Sequence, residues 1–392
     1  MRSIIGPLGL ACFLATGIGA SAEEVYLTAN GHKVSTLDVF QDCDGCPEMI
    51  VLPLGQFQMG STVEEAIAAQ RRFFTSSNVD PSLYEVQLRQ AFIDLGIDPD
   101  DPAEALLRYY AGGNVNRQDD PQYLVNPMLH EAPVHRVLID LPIAMGRNEV
   151  TRQEWAACVE DGGCEQGLED MPPTAWLRCQ NADNCVMTPD NRVRFRLPDG
   201  PHPTHPRSPM TGITFHEMTD YVSWLNKKVG ANVYRIPTEA EWEYAARSGT
   251  TTRFAQGDTL TLDQANFLVY RRVLLGGEYV WDYDLGSARE LLPVDNLDAA
   301  NDWGLRHMSG NASEFSSTCG DGPHRGLTSS SEYLAADSDR TDCNRSVKGG
   351  MYDGNVELAR PARRVPIPSD HWSPSIGFRV VRDLTPVSES IN

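Results

Sequence analysis

Cysteine spacing is the sequence feature that most limits how this chain can fold. The chain contains nine cysteines in 392 residues. Apart from Cys12 they are arranged as Cys43/Cys46, Cys158/Cys164, Cys179/Cys185 and, on either side of a Gly/Ser/Asp-rich loop, Cys319 and Cys343. An even number of cysteines in an exported chain favours disulfide bonds. We therefore predict four disulfides that staple long loops.

Two alternatives remain open for these cysteines. The run CDGC at 43–46 has the spacing of a redox motif or of half a zinc site, although no second CxxC follows at zinc spacing. Eight cysteines also allow about 105 connectivities. The pairing of sequence neighbours is therefore a hypothesis.

The N-terminal segment has the pattern of an export signal. Arg2 precedes an apolar run that ends in the small-x-small sequence at 20–22. We expect residues 1–22 to be removed and the protein to be periplasmic or secreted. A lipid anchor on Cys12 is the alternative, and Gly9 disfavours it because a lipobox has an aliphatic residue there. No later stretch is long enough to span a bilayer, so no membrane segment is expected after signal removal.

The charge of the chain restricts its partners. Its 33 basic and 54 acidic residues give a net charge of −21. This disfavours nucleic acid and anionic membranes, because both need a cationic face on the protein. A hydrophobic content of 41% is that of a globular protein. We expect a peptide, a protein or a small molecule as partner, and divalent metals are permitted.

The predicted helices and strands are few and short for a chain of this length. The stretch MIVLPLGQFQMGS at 49–61 predicts a strand and a hairpin. Residues 62–130 have helical periodicity in two places and predict a helical insertion. Most of the remaining chain is rich in Gly, Pro and Asp, which favours ordered loops.

Three helices have clear capping signals. Thr151 precedes one helix, with Glu154 as its capping-box partner. A second helix is predicted over 214–230, with Gly230 at its C-terminus. Thr238 caps the third, which follows Pro237 at a helix start.

The third helix contains three carboxylates near its N-terminus, Glu239, Glu241 and Glu243. Carboxylates there satisfy backbone donors and the helix dipole. We interpret them as structural and expect them to pair with arginines such as Arg235 or Arg247.

Eight segments, in the same order, resemble the formylglycine-generating enzyme family, also called the sulfatase-modifying factor family, which includes a pyoverdine-maturation type. They are LPLGQFQMGS, EAPVHRV, NEVTRQEWAACVEDGGC, YRIPTEAEWEYAARSGTTTRFAQGD, ANF, NDWGLRHMSGNASEFSS, SVKGGMYD and GFRVVRD. The resemblance implies one α+β domain over 49–383, loop-rich, low in regular secondary structure and related to the C-type lectin fold. Residues 23–48 are then an N-terminal extension and 384–392 a C-terminal tail.

The resemblance also implies structural calcium. One set of ligands corresponds to Asn266 with the Phe267 carbonyl, completed by Asp282 or Asp284. A second set corresponds to Gly310, Ala312 and Glu314. Hard oxygen atoms of this kind suit calcium. His307 departs from the pattern, because the family has an Asn or Asp ligand there and imidazole is a poor calcium ligand.

Copper is not expected. In the enzymes that make formylglycine, the segment that here reads SVKGGMYDGNVELARPARR (346–364) has two cysteines that bind copper and activate oxygen. Alignment on Gly349-Gly350 places them at Gly354 and Ala359. Copper(I) selects thiolates, which these residues lack. The histidines that hold iron in the sulfoxide-synthase branch are also missing, because the insertion contains only His130.

The remaining candidate site residues lie around this segment. Asp353 and Glu357 are candidate catalytic carboxylates, because a carboxylate beside arginines can act as a general base. The candidate binding residues are Asn355, Arg360, Arg364, His371 and Trp372. The alternative interpretation is that the carboxylates and arginines form ion pairs that close a loop. His135 corresponds to a strand histidine of the family, and we expect it to be structural.

Two classes of function follow from the resemblance. The first is a maturation or accessory protein that acts on a peptide or a small molecule and does not make formylglycine by the two-cysteine copper mechanism. The alternative is a non-catalytic binding or assembly module on a lectin-like scaffold. The missing thiols leave open whether this member of an oxidoreductase family is an enzyme.

Overall fold

A computed structural model describes most of the chain outside its N-terminal and central segments. The described residues are 24–28, 31–76, 130–165, 205–269 and 290–387 without 323, 338–339 and 342, the short stretches 185–187, 193–195, 271–275 and 278–282, and residues 86, 89, 90, 93, 98 and 286. The predicted signal segment, the second predicted helical stretch of the insertion and Cys179 lie outside them. No helix in the described part is long and apolar enough to cross a membrane.

The helices are short and widely spaced along the chain. The helices with described bounds are α1 (Val63–Ser76), α2 (Arg152–Glu160), α3 (Phe215–Val229), α4 (Glu239–Arg247) and α5 (Ser330–Asp337), with a 3-10 helix at Val356–Ala359. Each capping signal is confirmed. Thr151, Thr214 and Thr238 form capping boxes, and Gly230 ends α3 in the left-handed conformation.

The strands are also short. In chain order the described ones are β1 (Val25–Leu27), β2 (Lys33–Ser35), β3 (Val39–Phe40), β4 (Met49–Val51), β5 (Gly55–Met59), β6 (His135–Ile139), β7 (Ile143–Gly146), β8 (Cys185–Met187), β9 (Val193–Phe195), β10 (Tyr234–Arg235), β11 (Arg271–Leu275), β12 (Glu278–Asp282), β13 (Ser313–Cys319), β14 (Asn344–Lys348), β15 (Val365–Pro368), β16 (Ile376–Gly377), β17 (Val381–Asp383) and β18 (Thr385–Pro386).

Two sheets form the centre of the fold. One has the order β10-β17-β7-β4-β3 and the other the order β15-β14-β13-β16. Among the described strands of these two sheets, β13 and β16 are the one parallel pair of neighbours. The order mixes strands from both ends of the chain, so the sheets fix contacts between distant segments.

The predicted hairpin at 49–61 is wrong. Both of its strands exist, but β4 pairs with β3 and β7, whereas β5 pairs with β6. Pro53 lies between the two strands and lacks an N–H group. The partners β6 and β7 lie more than 70 positions further along the chain, and β3 precedes β4. Strand β3, from the predicted N-terminal extension, thereby joins the central sheet.

Three of the predicted disulfides are confirmed. The bonds Cys43–Cys46, Cys158–Cys164 and Cys319–Cys343 all join sequence neighbours. The predicted partner of Cys185 lies outside the described residues. Cys43 and Cys46 therefore form a disulfide in this fold and are not free thiols.

The main hydrophobic core lies where α2 and α3 pack on the strands. Trp155 of α2 stacks on Tyr221 of α3 with ring centroids 5.7 Å apart, and Phe378 meets both rings edge-on. Trp224 and Leu225 of α3 are also buried. Offset and edge-to-face aromatic pairs add to the stabilisation from burial.

A buried ion pair connects this core with α4. Both Glu314 and Arg379 are fully buried, and two of their N–O distances are 2.6 Å. The indole nitrogen of Trp242 on α4 donates to the same carboxylate at 2.7 Å. Arg379 also donates to the Gly146 and Arg306 carbonyls. This pair therefore joins β13, α4, β7 and the loop before β13.

Loss of Arg379 should destabilise the protein strongly. Arg379→Met leaves the Glu314 charge buried without its partner, which typically costs about 3–5 kcal/mol. The double variant Glu314→Gln/Arg379→Met should recover part of this, because it buries no charge. Urea unfolding monitored by tryptophan fluorescence measures the free energy of unfolding of both variants.

The half-buried pair Arg207–Asp295 provides the control for this comparison. Arg207→Met should cost less than about 1 kcal/mol, as exposed pairs do. Equal losses for Arg379→Met and Arg207→Met would contradict the role given to the buried pair.

Candidate functional site

The paired glycines Gly349 and Gly350 shape the segment that the sequence singles out. Both have positive φ, 94° and 72°, which L side chains rarely adopt. A Cβ atom on Gly350 would lie 2.7 Å from Cα of Ala359. The glycines therefore let the chain fold back against the 3-10 helix at 356–359.

This fold-back buries the two positions that the family resemblance aligns with copper-binding cysteines. Gly354 and Ala359 are both buried, and the Gly354 carbonyl accepts from the Leu268 amide at 2.8 Å. Asn355 caps the 3-10 helix, and its Oδ1 accepts from the Glu357 amide. Neither position offers a thiolate, so these residues do not fit a copper(I) site.

Glu357, a candidate general base, is surrounded by arginines. Its side chain is 2% exposed. Arg72 Nε lies 3.2 Å from one carboxylate oxygen, Arg253 contacts the same oxygen, and Arg360 Nε lies 3.5 Å from the other. Three guanidinium groups stabilise the ionised form and compete for its proton-accepting positions. The structure therefore favours the ion-pair interpretation for Glu357.

Arg360 and Arg364, both predicted to bind a ligand, are held in buried ion pairs. Arg360 makes a bidentate pair with Glu131 at 2.6 Å for both bonds. Arg364 lies 2.9 Å from Glu239 and donates to the Gly322 carbonyl. Both side chains are mainly structural, although Arg360 also reaches a cavity.

A cavity of about 410 Å³ lies beside Arg360. Its wall includes Arg72, Arg253, Pro361 and Ala362. Asp353, Asn355, Arg364, His371 and Trp372 are not among the residues that line this cavity. Of the predicted site residues, Arg360 reaches this space and Glu357 lies against its arginines.

Arg72 and Arg253 are the cavity residues that the sequence analysis missed. Arg72 belongs to α1, the first helix of the insertion, which packs on the 3-10 helix at 356–359. Arg253 follows α4 in the stretch SGTTTRFAQGD, which matches the family. That match was the one available signal for Arg253, and the periodicity of α1 does not single out Arg72.

The acidic helix α4 has the structural role that its sequence predicts. Arg235 pairs with Glu241 at 2.6 Å, and Arg247 pairs with Glu243 at 2.7 Å. Lys348, also fully buried, lies 3.0 Å from Glu243. Burial raises the pKa of Glu243, but Lys348 and Arg247 outweigh this and lower its pKa to about 2.

Three histidines are buried and held neutral. Burial and the nearby Arg364 lower the pKa of His324 and of His130 to about 4. Burial and Arg306 lower the pKa of His307 to about 3. His135, expected to be structural, lies 2.9 Å from the Tyr333 hydroxyl through Nε2.

The two predicted calcium ligand sets differ in their fit. Asn266 is buried, and its Oδ1 has no hydrogen-bond partner among the described residues, so it suits a hard cation. Glu314 has both oxygens engaged by Arg379 and Trp242. A calcium ion on Glu314 would have to displace a bidentate arginine, so the set of Gly310, Ala312 and Glu314 does not fit. The side chain of Asp282 and residue 284 lie outside what the structure describes.

Comparison with known proteins gives a consistent result. Residues 99–384 match the model of the sulfatase-modifying factor enzyme 1-like domain. The formylglycine-generating enzyme of Mycobacterium tuberculosis is 30% identical over 293 residues, which are 66% of this chain and 92% of that protein. A hercynine oxygenase of Mycolicibacterium thermoresistibile is 33% identical over 154 residues, 37% of this chain and 30% of that protein.

A solved structure confirms the fold. PvdO from Pseudomonas aeruginosa superposes with a TM-score of 0.51 and 23% identity, covering 89% of this chain and 99% of that one. The prediction of a loop-rich α+β fold of this type is therefore confirmed.

The buried histidines predict a loss of stability in mild acid. In the unfolded chain a histidine has a pKa of about 6.5, whereas His130, His307 and His324 stay neutral in the folded state to pH 4 or below. The stabilisation is thus complete above pH 6.5 and is lost as the pH falls towards 4. Together the three histidines make the free energy of unfolding fall by up to about 4 kcal/mol for each pH unit of acidification.

His324→Gln should remove about a third of this slope between pH 6.5 and 5, measured by urea unfolding at several pH values. Val347→Ala, a core substitution without a titratable group, should lower stability equally at each pH. An unchanged slope in His324→Gln would overturn the assignment.

Proposed function

We propose, because the chain belongs to the sulfatase-modifying factor family, that it is an exported maturation or accessory protein that acts on a peptide or a small molecule. Family membership rests on the match over residues 99–384 and on the 30% identity to a formylglycine-generating enzyme. The relatives include proteins named formylglycine-generating enzyme and hercynine oxygenase. Because these names describe different reactions, we infer a general maturation or accessory role and assign no single reaction.

One observation carries the rest of the proposal. The buried positions that correspond to the copper-binding cysteines are Gly354 and Ala359, with no sulfur at either. Six of the cysteines in the described part of the chain are paired in three disulfides and are not free to bind copper. The protein therefore acts on its target without the two-cysteine copper centre.

A second candidate function is a non-catalytic binding module. The arrangement around Glu357 favours it, because three arginines stabilise the carboxylate in its ionised form. Such a carboxylate is a weak general base. In this alternative the protein binds a ligand and catalyses no reaction.

Export is part of the same proposal. Disulfides persist in oxidising compartments such as the periplasm or the extracellular medium. The three bonds between sequence neighbours support that address, and so does the signal-like N-terminus.

Calcium is proposed as a structural ion at Asn266 and the Phe267 carbonyl. The buried, unpartnered Oδ1 of Asn266 supports this set. An ion there would stabilise the loop at 265–268, whose Leu268 amide donates to the Gly354 carbonyl. We expect it to stabilise the fold and to take no part in a reaction.

Deletion of the gene in its host tests the maturation role. Mass spectrometry of exported peptides and small molecules should reveal a product whose mass changes in the deletion strain and returns with the wild-type gene. An unchanged set of exported products, with a partner that co-purifies, would favour the binding module.

Restoration of the two cysteines tests the position of the lost copper site. Gly354→Cys/Ala359→Cys should bind about one copper(I) ion that the wild type does not, because thiolates are the missing ligands. Competition with a chromogenic copper(I) chelator measures this. The matched control Gly354→Ser/Ala359→Ser has the same side-chain size without sulfur and should not bind copper.

Formylglycine production by the oxidised wild-type protein on a cysteine-containing sulfatase peptide, with copper and oxygen supplied, would contradict the proposal.

Calcium should raise the melting temperature in a concentration-dependent way, because a ligand that binds the folded state stabilises it. Asn266→Ala should lose this response. Asn301→Ala is the control, since Asn301 is another buried asparagine with backbone partners and should melt lower yet respond to calcium. A wild-type melting temperature that neither calcium nor chelator changes would exclude the site.

A further inference from the structure

In the described part of the chain, strand β5 lies at the edge of its sheet. It pairs antiparallel with β6 in a two-stranded sheet. The far side of β6 is covered by the segment before α5, because the Leu138 N–H donates to the Thr328 carbonyl at 2.9 Å. No described strand pairs with the outer side of β5. An unpaired edge of this kind presents a row of backbone donors and acceptors.

The hydrogen bond of Leu138 also fixes which groups of β5 face outward. Leu138 lies opposite Gln56 in the register of the two strands. Because the Leu138 N–H points away from β5, these two residues form a non-hydrogen-bonded pair of the antiparallel ladder. The N–H and C=O of Gln56 therefore point away from β6. The same holds for Gln58, two residues further on, since the pairs of the ladder alternate.

Helix α4 completes this outer edge at its C-terminal end. Gly60 continues the alternation, and its N–H donates to Glu243 Oε1 at 2.8 Å. Its carbonyl accepts from Arg247 Nη2 at 3.0 Å. These two side chains thus take the place of a neighbouring strand at Gly60. No described residue meets the outward backbone groups of Gln56 and Gln58 in this way, and both residues are exposed.

The outer edge of β5 leads to the cavity of about 410 Å³. Gln58, Gly60 and Ser61 line this cavity on the side of β5, and Thr252 and Arg253 line it on the side of the loop after α4. A volume of this size is in the range of ligand-binding pockets. A polypeptide that runs along β5 would therefore reach the cavity and could place a side chain in it.

Two polar groups of the cavity have no hydrogen-bond partner among the described residues. Ser61 is 5% exposed, and its hydroxyl makes no hydrogen bond there. Arg253 Nε is also buried and meets no acceptor. Buried polar groups are normally satisfied, so these two require an explanation. Both groups can donate, and an oxygen atom of a bound ligand would satisfy them.

We propose that β5 binds an extended polypeptide segment by strand addition, with the backbone of the segment paired to Gln56 and Gln58. One side chain of the segment, ending in an amide or carboxylate oxygen, enters the cavity and accepts from Ser61 and Arg253. The occupant is a polypeptide, because the repeating donors and acceptors of an edge strand match a second backbone. The proposal rests on the proposed function and selects a polypeptide over a small molecule as the target.

Selection from a library of acetylated and amidated hexapeptides tests the proposal, with the oxidised full-length mature protein as the bait. Mass spectrometry identifies the bound peptides, which should share Asn, Gln, Asp or Glu at one position. Methylation of the backbone nitrogens along one edge of a selected peptide should weaken binding about tenfold or more, because those N–H groups pair with β5. Methylation along its other edge should not. No bound peptide, or an equal loss from both methylated forms, would overturn the proposal.

Residue-resolved hydrogen exchange locates the peptide on the strand. In the free protein the amides of Gln56 and Gln58 should exchange faster than the amide of Phe57, which pairs with β6. A selected peptide should slow exchange at Gln56 and Gln58 about tenfold or more and leave Phe57 unchanged. Slow exchange at Gln56 and Gln58 in the free protein would show that this edge is already paired and would reject the site.

A proline substitution tests the edge directly. Gln58→Pro removes one outward N–H and leaves the ladder with β6 in place, since proline is tolerated on an edge strand where its N–H would face away. Binding of a selected peptide should fall about tenfold.

Lys33→Pro is the matched control for this substitution. Lys33 is exposed on β2, and it lies next to the hydrogen-bonded pair of Thr28 and His32, so its N–H also points away from the partner strand. Peptide binding should be unchanged in Lys33→Pro. An equal loss in both proline variants would assign the effect to folding and reject the site.

Two further variants test the cavity. Ser61→Ala and Arg253→Gln should each weaken binding of a selected peptide about fivefold, because each removes a donor to its side-chain oxygen. Neither should weaken binding of the analogue that has Ala at the shared position. Equal losses for the peptide and its Ala analogue would show that the side chain does not enter the cavity, and would overturn that part of the proposal.

Failure of this inference can be told apart from failure of the proposed function. A deletion strain with an altered exported product, together with a protein that selects no peptide, would reject the strand-addition site alone. A selected peptide with unchanged exported products would support the site and reject the maturation role.

Discussion

The fold depends on a nine-residue helix in which every residue is buried, including three carboxylates. Each carboxylate of α4 is held by a cation from elsewhere in the chain or from the helix end: Glu239 by Arg364, Glu241 by Arg235, and Glu243 by Lys348 and Arg247. An uncompensated buried charge costs several kcal/mol. Few alternative arrangements of the long loops could satisfy all three acids at once, so these ion pairs set where the loops lie.

The candidate site is an extension of this network. Arg364 connects α4 to the segment 346–364, and Arg360 connects that segment to Glu131. At the two positions that the resemblance aligns with copper-binding cysteines, this chain has Gly354 and Ala359, both buried. The arginines of the segment are therefore mainly structural, and a cavity of about 410 Å³ lies at its edge, beside Arg360.

Local signals in the sequence predicted local structure well. The caps at Thr151 and Thr238 each depend on residues three positions apart, and disulfides between sequence neighbours need only short loops. The hairpin at 49–61 failed because the partners of β4 and β5 are chosen by the sheets. The cavity was missed for the same reason, since Arg72 and Glu357 are 285 positions apart in the chain. Nothing local to either residue indicates that the two meet.

The predicted helical insertion contributes to the wall of the cavity. Helix α1 packs against the 3-10 helix at 356–359, so the insertion forms part of the cavity wall. The chain carries a net charge of −21, which at long range opposes the approach of an anion. At physiological ionic strength the screening length is about 8 Å, and distant acidic residues then contribute little inside the cavity. Charged residues within that distance of the cavity contribute most to its local potential, and one of them, Arg72, lies on the helix that begins the insertion.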